Sequence, residues 1–120
     1  MSDQPDNVDV SIGPFDEPDS YRSLALLVEN RKFYVSRELL ASFSPVFRAM
    51  LYGKFPESTK DEISLPDKKA QDIEELLRCL IPHPRIKKID DSNVDLLLSF
   101  ADEYQIDDLP SRAEVFLNRK

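Results

Sequence analysis

Residues 33–57 read FYVSRELLASFSPVFRAMLYGKFPE. This stretch decides the fold, because it fits two capped helices and an apolar exit into about two dozen residues. The Ser36 hydroxyl can accept from a first-turn amide, Glu38 sits near the positive end of that helix, and Leu39 and Leu40 give it a buried edge. Ser44 caps a second helix. Pro45 takes its first position, where a missing N–H costs nothing, and Gly53 is expected to stop it in the left-handed conformation. Phe47, Met50 and Leu51 share one face of that helix. Phe55-Pro56-Glu57 follows at once and puts an aromatic ring where polar loop is usual.

Working outward, Leu24-Ala25-Leu26-Leu27-Val28 is a continuous apolar run, suited to a strand covered on both faces. Glu29-Asn30-Arg31 supplies turn residues before a second strand in which Phe33 and Val35 share a face. Downstream, Glu62-Ile63-Ser64-Leu65 alternates as a third strand and stops at Pro66. Asp67 is expected to cap a helix with Ile73, Leu76, Leu77, Leu80 and Ile81 on one face, ended by Pro82. Ser92 is expected to cap the next, with Val94, Leu97, Leu98 and Ala101 inward. Asp107 or Asp108 caps the last, whose buried stripe is Leu109, Ala113, Phe116 and Leu117. Helices around a small three-stranded sheet predict an α+β fold.

At 120 residues the chain is long enough for one core and too short for two. Residues 1–20 read as an acidic, Pro-containing segment ahead of a domain at 21–120. That segment is expected to be disordered, to pack on its own subunit, or to lend the alternating Val8, Val10 and Ile12 to another subunit as an exchanged strand. The formal charge of −7, with Lys and Arg scattered, argues against a nucleic-acid surface. Arg85-Ile86-Lys87-Lys88 is the one basic cluster, read as a solvated loop. A single cysteine, Cys79, allows neither an internal disulfide nor a cysteine-based metal site. No apolar run is long enough to span a bilayer, so the expectation is a protein free of membrane, cytoplasmic or nuclear.

Catalytic chemistry has little to work with. His83 lies between Pro82 and Pro84 without a nucleophile beside it, and reads as a structural loop histidine. The pairs Asp90-Asp91 and Asp107-Asp108 precede helices, where carboxylates meet free N–H groups without any metal. With two glycines in all, there is no phosphate-cradling loop, and no cofactor is expected.

The run FYVSRELLASFSPVFRAML closely resembles the signature of the BTB, or POZ, domain, which reads roughly F-x-V-H-K-x-x-L-A-x-x-S-P-x-F-x-x-M-F. LALLVENRKFYV ahead of it is similar to the family's opening hairpin, and Leu24 to Leu117 follow the family's order of elements. The wording around VENRKFYVS and GKFPES is most similar to nematode proteins that pair a MATH domain with a BTB domain. The resemblance implies a BTB/POZ fold, a small three-stranded sheet flanked by about five helices. It also implies an interaction module rather than an enzyme.

Many members form dimers, and a large class of adaptors holds the third cullin, the scaffold of a RING-type ubiquitin ligase. By that resemblance the cullin-binding residues are Phe47, Met50, Leu51, Tyr52, Phe55, Pro56, Glu57 and Tyr104. Phe55-Pro56-Glu57 matches the adaptors' hydrophobic-x-Glu motif. Its ring either points outward as an anchor or folds back on its own helix. The same resemblance implies a dimer interface at Val8, Val10, Ile12, Leu24, Arg37 and Leu40, in a homodimer or with another BTB protein. The alternative is a dimerisation module for transcriptional or cytoskeletal scaffolding, or a heterodimer-forming regulator of larger BTB proteins. Skp-like and channel-tetramerisation proteins share the fold as well.

Three departures from the pattern matter. Ser23 and Ser36 stand where the family commonly has Asp and His, so Arg37 lacks its usual carboxylate and needs exposure or another acid. Leu80-Ile81-Pro82-His83-Pro84 replaces the family's entry into an outer strand, and proline cannot donate to a sheet ladder. That strand is expected to be missing or displaced.

Overall fold

A computed structural model describes residues 13–53, 61–83 and 85–119. Its sheet has three strands: β1 (Leu24–Val28), β2 (Arg31–Val35) and β3 (Glu62–Ser64), in the order β2-β1-β3. The hairpin partner β2 runs antiparallel to β1, with Leu24 opposite Val35 and Leu26 opposite Phe33. On the other side β3 runs parallel, with Leu26 opposite Ile63. Residues directly opposite one another share a face, so Leu24, Leu26, Phe33, Val35 and Ile63 form one apolar layer, each fully buried. A central strand covered on both sides explains why β1 is apolar throughout, Ala25 included. The edge strand β3 alternates, with Glu62 and Ser64 exposed about a buried Ile63.

Among the described residues five helices complete the fold: α1 (Arg37–Phe43), α2 (Pro45–Tyr52), α3 (Ala70–Leu80), α4 (Val94–Tyr104) and α5 (Asp108–Asn118). The α+β architecture read from the sequence is the one observed. Ser36 Oγ accepts from the Leu39 amide at 3.2 Å, and Ser44 Oγ from the Phe47 amide at 3.0 Å, with Pro45 in the first turn of α2. Ile73, Leu76, Leu77 and Leu80 of α3 all enter the core, as their spacing predicts.

Other expectations are corrected. Gly53 closes α2 with φ −84° and ψ −161°, an extended conformation open to any residue, while its N–H bonds Ala49 O in an ordinary last turn. Asp67 does not cap α3. The helix starts three residues later, and Glu29 in the β1–β2 turn accepts from the Ala70 amide at 2.7 Å. Glu29 takes a positive φ of 54°, and that left-handed turn aims its carboxylate at the helix end. Ser92 does not cap α4 either, since its N–H and hydroxyl both go to Asp90 Oδ1. Asp107 precedes α5 without a side-chain capping bond. Leu117, expected inside, is 47% exposed, and Leu98 is only half-buried while Phe100 takes its place in the core.

The domain also begins earlier than residue 21. Phe15 is 1% exposed within the core, and its carbonyl accepts from the Tyr34 amide at 2.8 Å, so the chain around Phe15 is attached to β2 as part of the domain. Asp16 continues the attachment through Arg31, which also binds Glu74 at 2.7 Å. Val8, Val10 and Ile12 lie outside the described residues. Between α3 and α4 no strand forms among the described residues, in keeping with Pro82. Arg85 to Lys88 are exposed, as expected of a solvated loop.

Candidate interaction surface

Helix α2 has a locked inner face and an open outer one. Phe47 and Leu51 are each 1% exposed, and the Phe47 ring stacks on Tyr104 with centroids 4.6 Å apart. At the helix start, Ser44 accepts from Phe47 and donates its own proton to Tyr104 O at 2.7 Å. A hydroxyl can do both at once. The start of α2 is thereby tied to the end of α4, which turns at Gln105 with φ 56°. Burial pushes the Tyr104 hydroxyl far above its ordinary pKa, so it stays neutral.

This packing corrects part of the expected contact set. Phe47, Leu51 and Tyr104 serve the chain's own core, and their side chains are closed to a partner. Tyr52, 53% exposed, remains available on the outer face with the exposed Arg48 and Ala49, while Met50 is half-buried and packs against the core. Phe55, Pro56 and Glu57 lie outside the described residues. Sequence reasoning missed the neighbouring groove of about 530 Å³, where Pro45 of α2 faces Leu98 and Asp102 of α4, Gln105 and Asp107 of the turn after it, and Pro110 of α5. Its available signal was Leu98, an apolar residue of α4 that the core does not fully absorb. The groove mixes apolar walls with the carboxylates of Asp102 and Asp107.

Leu24 and Leu40, expected at a dimer interface, are each 1% exposed in their own subunit. They too are core, because β1 is the central strand and Leu40 faces inward from α1. Arg37 finds the acid the sequence left open: its Nη2 stands 3.5 Å from Asp61 Oδ1, and its Nη1 donates to Leu51 O at 3.4 Å near the end of α2. Since Asp61 is 91% exposed, that ion pair adds little stability.

His83 and Cys79 have structural surroundings of their own. His83 Nε2 accepts from Arg22 Nη1, because a guanidinium can only donate, and the ring lies 5.8 Å from that of Phe15. Cys79 is buried, and burial, with Glu75 nearby, pushes its thiol up to about 11. Among the described residues no group of three His, Cys, Asp or Glu side chains could hold a metal ion, and no helix is long and apolar enough to cross a membrane.

Comparison with known proteins agrees with this architecture. The family model for the BTB/POZ domain matches residues 13–120. BTB and MATH domain-containing protein 38 of Caenorhabditis elegans is 34% identical over 94 residues, which cover 78% of this chain and 24% of that protein. Protein 15 of the same series and organism is 34% identical over 107 residues, covering 88% of this chain and 38% of that one. The chain therefore spans well under half the length of these relatives. Among solved structures, the BTB domain of human gigaxonin superposes with a TM-score of 0.62 at 21% identity, covering 82% of this chain and 79% of that one. The capped helix pair, the three-stranded sheet and these matches give one conclusion: the chain belongs to the BTB/POZ family, whose domain is a protein–protein interaction module.

Proposed function

We propose that this chain is a self-associating adaptor that recruits the third cullin through the outer face of α2, the adjoining groove and the segment Phe55-Pro56-Glu57. The observation that carries the reading is Tyr52. It is an aromatic side chain, 53% exposed at the end of a helix whose other face is fixed in the core, and it stands just ahead of a hydrophobic-x-Glu sequence of the adaptor type. Aromatic anchors on rigid elements are the usual centres of binding energy. Self-association through Val8, Val10 and Ile12, and a place in the cytoplasm or nucleus, belong to the same proposal.

Titration of the chain with a purified cullin N-terminal domain tests it. The expected result is binding that Tyr52→Ala and Phe55→Ala each weaken by about tenfold or more, from the loss of about 1.5–3 kcal/mol of apolar burial, with the fold intact by circular dichroism. Unchanged affinity in both variants removes the proposed anchors. An empty cullin pull-down that recovers a longer BTB protein selects instead a dimerisation module that works without cullin.

A further inference from the structure

A second groove, of about 510 Å³, runs along α5 beneath the loop that follows α3. Its apolar walls are Ile89, Val115 and Phe116, and its rim carries Lys88, Arg112 and Arg119. No carboxylate is among the described residues that line it. This is against the character of a chain whose net charge is −7. Arg112 is engaged by its own subunit, donating to Cys79 O at 2.5 Å, Lys87 O at 3.2 Å and Asp108 Oδ2 at 3.3 Å. It therefore acts as a fixed wall. Lys88 and Arg119 are exposed and form no ion pair among the described residues. Val115 is 51% exposed on a helix otherwise anchored through Leu109 and Ala113, so the wall is rigid and apolar surface is left for a ligand.

Two features select the ligand. An apolar floor has no use for a bare anion or a polyphosphate strand, and the cationic rim favours carboxylates carried beside apolar side chains. The volume falls within the roughly 300–1,000 Å³ usual for ligand clefts, enough for a short run of side chains. We propose that this groove docks an acidic peptide segment of a partner protein. An apolar side chain of that segment enters between Ile89, Val115 and Phe116, and its carboxylates meet Lys88 and Arg119. This site is separate from the α2 surface and stands whether or not a cullin binds there.

Selection of a random dodecapeptide display library on the immobilised full chain, followed by fluorescence anisotropy of the selected peptides, tests it. Enriched peptides are expected to carry Asp or Glu on both sides of Leu, Ile or Phe. The double variant Lys88→Glu, Arg119→Glu should weaken them by about tenfold or more, and added salt should weaken the wild type. Val115→Ser should cost about threefold through lost apolar contact. Circular dichroism should show all variants folded, since none of these side chains is buried. Failure to enrich any peptide, enrichment of basic or wholly apolar ones, or unchanged affinity in the charge-reversed variant overturns the proposal. Displacement of a selected peptide by a synthetic peptide of residues 1–12 overturns it too, by giving the groove to the chain's own N-terminal segment. So does a loss of self-association in the charge-reversed variant on sedimentation, which would make this face a contact between copies.

Discussion

Ser44 Oγ donates to Tyr104 O at 2.7 Å while accepting from the Phe47 amide at 3.0 Å, and Ser44 itself is wholly buried. One hydroxyl thus caps α2 and fixes it to the end of α4. Ser44→Ala removes both bonds and leaves a buried carbonyl short of a donor. A loss of about 2–3 kcal/mol is expected, above the usual value for a cap alone, and urea unfolding measures it. Ser36→Ala, at the less buried cap of α1, should cost about 1 kcal/mol or less in the same assay.

Phe15 gives a direct test of where the domain starts. Its ring is 1% exposed among core residues although it lies in the stretch that composition alone assigns to a tail. Phe15→Ala should cost about 3–5 kcal/mol in thermal or urea unfolding. A detached tail would show no change.

Glu29 combines a positive φ with a distant capping bond to Ala70. Glu29→Ala keeps the backbone strain and loses the bond, so about 1 kcal/mol of stability should go. Glu29→Gly also loses the bond but relieves a strain of roughly 1–2 kcal/mol, so it should fall close to wild type. The order of the two melting temperatures decides.

Glu74 sits between Arg31, at 2.7 Å, and Arg78, at 2.6 Å. Burial works to raise its pKa, but hydrogen bonds from Arg78 and Arg31 outweigh burial and hold it below the ordinary value. For a carboxylate depressed in the folded state, the stabilisation is complete above the unfolded pKa of about 4.3 and disappears as pH falls through the folded value. Glu74→Gln should therefore lose roughly 1–2 kcal/mol at pH 7, and its deficit should narrow toward pH 3. Urea midpoints measured across that range would show a constant gap if the pair contributed nothing through charge.

The parts of the fold legible in the sequence are those decided by neighbours in the chain. Ser36, Ser44 and the stripe from Ile73 to Leu80 each depend on residues three or four positions apart, and periodicity finds such relations. Asp67 and Ser92 failed as caps because the competing partners, Glu29 and Asp90, act through tertiary approach or a local turn that a capping pattern does not register. The interaction surface was half legible for a related reason. Phe47, Leu51, Met50 and Tyr52 lie on one short apolar helix, and an apolar helix reads the same whether its ridge meets a partner or its own core. Burial separates Phe47 and Leu51, closed in the core, from the half-buried Met50 and the exposed Tyr52. Arg37 needed Asp61, which belongs to no motif with it.

The parallel pairing of Ala25 with Glu62 imposes an order on folding. The hairpin of β1 and β2 can zip locally, but the far side of β1 must wait until the intervening chain has made its excursion through α1 and α2 and returned. Closing that long loop costs entropy before its first contact is rewarded, although the cost grows only slowly with length. Until the third strand arrives, β1 has an unpaired apolar edge, the kind of edge to which another chain can add a strand.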